Sequence, residues 1–282
     1  MIKIVTDSSA DLPAPIVEKL GISVVPLYAR FGDEIYKERV DITDEEFYEK
    51  LLSGDVHPVT IQPSPQDFFE VYQKLSDEAD GIISVHLSSK LSGTYNSAVQ
   101  ARSMIGDKCP IEVIDSKTLT LAMGMMVIAA AEGVNAGKGM EEVVAGVNEA
   151  IPKSHALCLL DTLKYLLLGG RIGKAKALLG SVLNVKPLIA IRDGEVAPVG
   201  QARSRGKGLE QLFEFVKSAT KIEELGIAYT TTLEDAQKLA ERMATVFGGA
   251  EVRLARLGTT LGVHTGPGTI IVSLRGELPG AG

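Results

Sequence analysis

Short, strongly apolar runs alternate along the chain with stretches whose apolar residues recur at helical spacing. Lys3-Ile4-Val5 opens the series as a β-rich run. It ends in a polar cluster, Thr6-Asp7-Ser8-Ser9, suited to capping a helix at 15–20. The pattern then predicts a strand at 22–27 and a hairpin-like turn at Phe31-Gly32-Asp33-Glu34. A helix opened by Asp41-Ile42-Thr43-Asp44 follows, with Phe47, Leu51 and Leu52 sharing one face. The segment 59–65 carries two prolines and stays out of a helix until Pro65, which suits the first turn of a helix at 66–77. Strands are predicted at 81–87 and 111–115, with a helix between them running through 98–104. A nearly uncharged helix at 116–135 and a more polar one at 139–151 complete the first half. Strand and helix alternating at this spacing predict an α/β fold, its first sheet mainly parallel and flanked by helices.

We place a domain boundary at Pro152-Lys153, giving two α/β domains, 1–153 and 154–282. The second half predicts strands at 155–160, 225–230, 251–257 and 270–274, and helices at 175–183 and 233–246 with another ending at Ala219. Asp193-Gly194 between apolar runs is a strong hairpin signal, so this sheet is expected to be mixed. The stretch from Leu160 to Ser204 organises the rest. Its apolar turn, 163–168, stops at Gly169-Gly170. Gly169 is expected to take the left-handed cap and Gly170 to turn the backbone sharply. Arg171 then stands at the corner of a new helix, and Arg203 follows the hairpin. A corner arginine beside a helix N-terminus suits an anion. A plain helix stop with a solvated arginine would leave the same trace.

Charge and composition narrow the function. Twenty-nine basic against 36 acidic residues give a net charge of −7, which argues against broad nucleic-acid binding. A local basic patch remains, formed by Arg171, Lys174, Lys176, Lys186, Arg192, Arg203, Arg205 and Lys207. The two cysteines, Cys109 and Cys158, form no CxxC, and the four histidines show no metal-binding spacing, so no metal is expected and a reduced, cytoplasmic setting is. Met1 runs straight into a strand and no apolar run is long enough to span a bilayer, so neither a signal peptide nor a transmembrane segment is expected. The tail Pro279-Gly280-Ala281-Gly282 is expected to fray.

Four places could carry chemistry. Asp7, at the end of a parallel strand, reads as a helix cap or as a nucleophile, although the metal-binding acids a phosphatase would need are missing around it. Thr60 and Gln62 lie on the proline-stiffened segment, read as a loop. Ser88-Ser89-Lys90-Leu91-Ser92-Gly93-Thr94-Tyr95 is a hydroxyl-rich strand-to-helix turn suited to an oxyanion or simply to capping. It contains neither a phosphate-binding Gly-Lys-Ser/Thr nor Gly-x-Ser-x-Gly. His264 lies in Gly262-Val263-His264-Thr265-Gly266-Pro267-Gly268-Thr269, read as a glycine-rich turn. The methionine-bearing helix around Met123 and Met126 reads as packed core or as an adaptable lipid-facing wall.

These segments together resemble the DegV family. The resemblance covers the whole chain and rests on 4–13, Thr60-Ile61-Gln62-Pro63-Ser64, the 88–95 turn, Gly169-Gly170-Arg171-Ile172, Lys186-Pro187-Leu188 and His264-Thr265-Gly266-Pro267-Gly268. It implies a bacterial protein that binds one long-chain fatty acid between two α/β domains, with no cofactor and no catalytic residue of its own. It further implies delivery of that acid to a separate fatty acid kinase, which makes the acyl phosphate for phospholipid metabolism. Thr60, Ser92 and His264 would hold the carboxylate. Gln62, Gly93, Thr94, Thr265 and Gly266 would complete the head-group loop, and Arg171 and Arg203 would engage the kinase or phosphate. Transient contact with a membrane surface fits a carrier of this kind. Ile61 stands where the family usually has a serine, removing a hydroxyl beside the head group.

Burial of roughly fourteen methylenes at about 0.8 kcal/mol each would give a gross ~11 kcal/mol, partly offset by lost freedom. An extended tail of roughly 20 Å must run deep into a protein of ~19 Å radius of gyration, and the low-charge stretches 119–131 and 178–191 are its expected walls. Two other functions compete: an acyl hydrolase using Ser92 as nucleophile and His264 as base, and a regulatory lipid-binding protein without a kinase.

Overall fold

The polar cluster behind the first apolar run folds as a cap. In the computed structural model, which describes residues 1–54, 56–180 and 185–279, β1 (Ile2–Asp7) ends in a single 3-10 turn at Ser8–Ala10. The Asp7 carboxylate accepts the Ser9 N–H at 3.1 Å. After α1 (Ala14–Leu20) and β2 (Ile22–Val25) come the hairpin β3 (Tyr28–Phe31) and β4 (Glu34–Lys37), and α2 (Asp44–Ser53). Thr43 and Glu46 form a capping box at the start of α2, whose buried face is Phe47, Tyr48 and Leu51. Leu52, expected on that face, is exposed; Tyr48 takes the inner position, and its hydroxyl donates to the Leu257 carbonyl at 3.0 Å.

Thr60 also departs from expectation. Val59–Ile61 is a strand, β5, paired antiparallel with β3, rather than a loop. Its β-branched residues suit a pleated edge, and Pro63 ends it. Then follow α3 (Pro65–Ser76), β6 (Gly81–His86), α4 (Thr94–Ile105), β7 (Ile111–Asp115), α5 (Thr120–Asn135) and α6 (Met140–Ala150). The first sheet has the order β2-β1-β6-β7 and every pair in it is parallel. Connections leave β1 and β6 in opposite directions. The crevice beyond their carboxyl ends is therefore a topological switch point, where open α/β sheets bind ligands.

The second sheet uses β8 (Ser154–Leu159), β9 (Lys186–Arg192), β10 (Glu195–Ala202), β11 (Lys221–Tyr229), β12 (Arg253–Arg256) and β13 (Ile270–Glu277). Its order is β10-β9-β8-β13-β11-β12, antiparallel except for the pair β11–β12, so it is mixed as expected. α8 (Arg205–Lys217) and α9 (Leu233–Val246) cover one face. α5 lies between the two sheets: Met123, Met126 and Val127 join the core of the first, and Leu121 and Ala122 that of the second.

The organising stretch forms α7 (Lys164–Leu168), followed by a 3-10 segment at Gly173–Leu178 instead of an α-helix; residues 181–184 of the expected helix lie outside the described residues. The glycine roles are exchanged. Gly169 stays right-handed at φ −77°, and Gly170 takes the left-handed turn at φ +70°. Asp193 and Gly194 both have positive φ, 52° and 80°, as the hairpin requires.

The last departure carries the site. Residues 262–265, expected as part of a glycine-rich turn, belong to a helix, α10 (Thr259–Thr265), ended by Gly266 at φ +73°. Its first N–H groups are satisfied from far away in the chain. Asp11 accepts the Gly258 N–H at 2.8 Å, and Glu38 accepts the Thr260 N–H at 3.0 Å and its hydroxyl at 2.8 Å.

Candidate functional site

A cavity of about 320 Å³ opens at the switch point, between the first sheet's loops and the second sheet. Most of its wall is aliphatic: Leu27, Leu87 and Leu119 come from the first half, and Ile189, Val196 and Ile271 from the strands of the second. The polar residues on it are few. Thr60 comes from β5, Gln62 from the loop after it, Ser92 from the β6–α4 turn, Arg171 from the turn after α7, and Thr260, His264 and Thr265 from α10. The structure thus brings Thr60, Ser92 and His264 onto one cavity from segments far apart in sequence. Ile61 lines it as well.

His264 is buried and reaches Thr60, its Nε2 lying 3.0 Å from Thr60 Oγ1. Its Nδ1 has no hydrogen-bond partner among the described residues. Gly169 packs directly against the imidazole, and a side chain there would occupy the ring's place. Burial pushes the pKa of His264 down to about 3, and the neighbouring Arg171 cation and His57 push the same way. The ring is therefore neutral near pH 7, with one N–H to donate and one nitrogen to accept.

The serine turn is pre-arranged. Ser92 Oγ lies 2.8 Å from Thr94 Oγ1 and accepts the Thr94 N–H at 3.3 Å. Gly93 has no side chain because the Gln62 amide fills that space, and the amide nitrogen donates to Ser97 Oγ at 3.3 Å. Thr265 reaches the cavity, but its hydroxyl donates back to the Leu261 carbonyl at 2.9 Å. Gly93, Thr94 and Gly266 support the wall without lining it, and Gly266 lies against the Tyr165 ring. Arg171 is held at the rim by the Gly169 carbonyl at 2.9 Å and the Leu91 carbonyl at 3.4 Å.

Arg203 lies elsewhere. It follows β10, exposed and away from the cavity lining. The basic patch is also partly neutralised: Lys174 pairs with Glu195 at 2.8 Å, Lys186 with Asp161 at 2.9 Å, and Arg205 with Asp161 and Asp235 at 3.3 and 2.5 Å. Of the two expected walls, 119–131 contributes only Leu119, because Met123, Met125 and Met126 are fully buried core. The other contributes Ile189, Ala190 and Ile191.

Sequence reasoning missed Asp11 and Glu38, whose partners lie more than 200 positions away. It also missed a buried chain in which Tyr72 Oη donates to Ser84 Oγ at 2.7 Å, Ser84 Oγ lies 2.7 Å from His86 Nε2, and His86 Nδ1 lies 2.9 Å from Asp7. This has the order of a catalytic triad, yet Asp7, Ser84 and His86 are all 0% exposed, which denies a substrate access. Asp7 itself serves as the cap. A hydrolase centred on Ser92 and His264 fares no better: the two residues bond to Thr94 and Thr60 instead of to each other, and among the described residues no carboxylate orients His264. Among the described residues no cluster of His, Cys, Asp and Glu could hold a metal ion, and no helix is long and apolar enough to cross a membrane.

Fold and site define a class: an α/β protein of two main sheets and a small three-stranded one, with a mostly apolar cavity lined by a few hydroxyls and an imidazole. The chain belongs to the DegV family, described as "Uncharacterised protein, DegV family", whose pattern matches residues 1–276. A DegV domain-containing protein of Caldanaerobacter subterraneus is 38% identical, the match covering 94% of this chain and 95% of that protein. A solved Thermus thermophilus structure, described as fatty acid binding of a DegV family protein, is similar at TM-score 0.89 and 34% identity, covering 98% of this chain and 99% of that one. Bacillus subtilis DegV, described as a fatty acid binding protein, matches at TM-score 0.89 and 29% identity over 98% and 99% of the two chains.

Proposed function

We propose that this chain binds a single long-chain fatty acid, of about C14–C18, and is a carrier rather than an enzyme. The observation that carries the reading is the convergence of Thr60, Ser92 and His264 on one otherwise largely aliphatic cavity, with Thr60 and His264 in hydrogen-bond contact. A carboxylate needs several donors at one point, and two hydroxyls with a neutral imidazole N–H supply them without a buried counter-charge. The tail contributes affinity through burial at roughly 0.8 kcal/mol per methylene. The descriptions of the Thermus and Bacillus relatives as fatty-acid binders support the same ligand. On this reading the domains 1–153 and 154–282 are the two walls of the site.

The carboxylate is then presented to a separate fatty acid kinase for acyl-phosphate formation. Arg171, at the rim, and Arg203, exposed nearer the start of α8, are the residues assigned to meet the phosphate or acidic groups of that partner. Loading from a membrane surface is supported by Leu167 and Leu168, 48% and 52% exposed on α7 just before Arg171.

Mass spectrometry of the purified chain, native and after organic extraction, tests the ligand. One stoichiometric acid in the native protein is the expected result. An apo mass that takes up neither palmitate nor oleate would remove the reading. The kinase step is tested separately, by acyl-phosphate formation with a bacterial fatty acid kinase. Arg171→Glu should abolish it while the protein still carries its acid, and unchanged turnover would leave a lipid-binding protein without this partner.

A further inference from the structure

The cavity's sheet wall is incomplete. β8 and β9 both continue as strands beyond the point where they stop pairing. Their ladder consists only of Leu159↔Leu188, Cys158↔Ile189 and Leu157↔Ala190. Beyond it, Ser154, His155 and Ala156 of β8 pair only with β13, and Ile191 and Arg192 of β9 only with β10. The two strands splay there, leaving a slot in the sheet where a ladder would otherwise close it at about 4.8 Å spacing.

A second cavity, of about 350 Å³, lies on the opposite face of the same sheet. It is lined by Leu157, Leu188, Val199, Phe215 and Leu278, with His155 and Arg192 among its polar residues. Ala156, Ala190 and Ile191 belong to both linings. These three residues stand at the splay, and two of them carry only a methyl group. A single layer of backbone thus separates the two apolar spaces, and beyond the Leu157↔Ala190 pair that layer lacks the β8–β9 ladder. The slot is three residues, about 10 Å, down the strands from the end next to α10 and His264.

We infer that the slot between β8 and β9 at Ala156, Ala190 and Ile191 passes the terminal carbons of very long acyl chains from the first cavity into the second. The inference rests on the fatty-acid reading and deepens it: the chain accepts unbranched acids longer than the first cavity alone would hold, with the methyl end against Leu157 and Phe215. Length would be limited by the second space, and the head group would remain at Thr60, Ser92 and His264.

The test compares binding of hexadecanoic and docosanoic acid by the wild-type chain and by Val199→Phe. Val199 lines the second cavity and not the first, so the larger side chain fills the space behind the slot without touching the first cavity's wall. The expected result is similar binding of both acids by wild type. In the variant, docosanoic acid should lose at least about 30-fold while hexadecanoic acid changes by less than about 3-fold, which also reports a folded protein. A docosanoic acid with a terminal diazirine should label peptides containing Phe215 or Leu157 in the wild type, a readout independent of any substitution. Hexadecanoic binding with rejection of docosanoic acid, or labelling confined to residues of the first cavity, would overturn the passage and leave the fatty-acid reading standing. If neither acid binds, both fall together.

Discussion

Thr60 Oγ1 and His264 Nε2 lie 3.0 Å apart although 204 positions separate them in the chain. The contact joins the edge strand β5 of the first half to helix α10 of the second, and it is the only hydrogen bond of the His264 ring among the described residues. It fixes the orientation of a neutral, buried imidazole whose other nitrogen has no partner among the described residues.

Thr60→Val leaves both ring nitrogens unsatisfied. It should weaken fatty-acid binding at least about tenfold and lower stability by about 1–3 kcal/mol. Thr60→Ser should preserve both. Calorimetric titration with palmitate, alongside urea unfolding, checks this. Because Thr60 sits on a strand, the stability loss is expected as well as the binding loss, and the double variant with Ser92→Ala should show the binding loss more strongly.

Gly169 and Gly170 should respond differently to alanine. At φ −77° Gly169 tolerates a side chain conformationally, but the added methyl would displace the His264 ring. Gly169→Ala should therefore abolish binding in a folded protein. Gly170, at φ +70° with open space around it, should lose roughly 1 kcal/mol of stability and keep its ligand affinity. Equal binding by both variants would refute the steric role of Gly169.

Arg171 holds the titration of His264 down, second only to burial. Arg171→Gln should move that titration up from about 3, because one cation disfavouring the imidazolium is gone. NMR of the labelled imidazole reads the change directly. A titration that fails to rise would place Arg171 too far away to act on the ring.

Asp11 and Glu38 give a pH prediction. Burial first of all pushes Asp11 up to about 7, with Arg39 opposing and Glu38 adding to the rise, and burial raises Glu38 as well. An acid whose folded pKa lies above its unfolded value holds its proton more tightly when folded. Its contribution is fully present at low pH and is lost as pH rises from the unfolded value near 4 to about 7. One such proton gives a slope of at most about 1.4 kcal/mol per pH unit. Asp11→Asn should flatten the denaturation midpoint across that window while keeping an acceptor for the Gly258 N–H.

The sequence by itself determined the local elements. Hydrophobic period and turn chemistry sufficed for the β1-to-β2 unit, the 111–115 strand, the 233–246 helix and the Asp193-Gly194 hairpin, because each rests on neighbours within a few residues. The polar residues Thr60, Ser92 and His264 were legible as motifs, and the fold does gather them on one cavity. Tertiary structure alone decided what depends on distant partners. Residues 262–265 read as part of a turn because the capping acids of their helix, Asp11 and Glu38, are more than 200 positions away, and no local signal could declare a helix whose N-terminus is satisfied from another part of the chain. Thr60 became a strand only by pairing with β3, Met123 and Met126 became core because two sheets close over α5, and the role of Gly169 follows from a ring that lies beside it only in the folded chain.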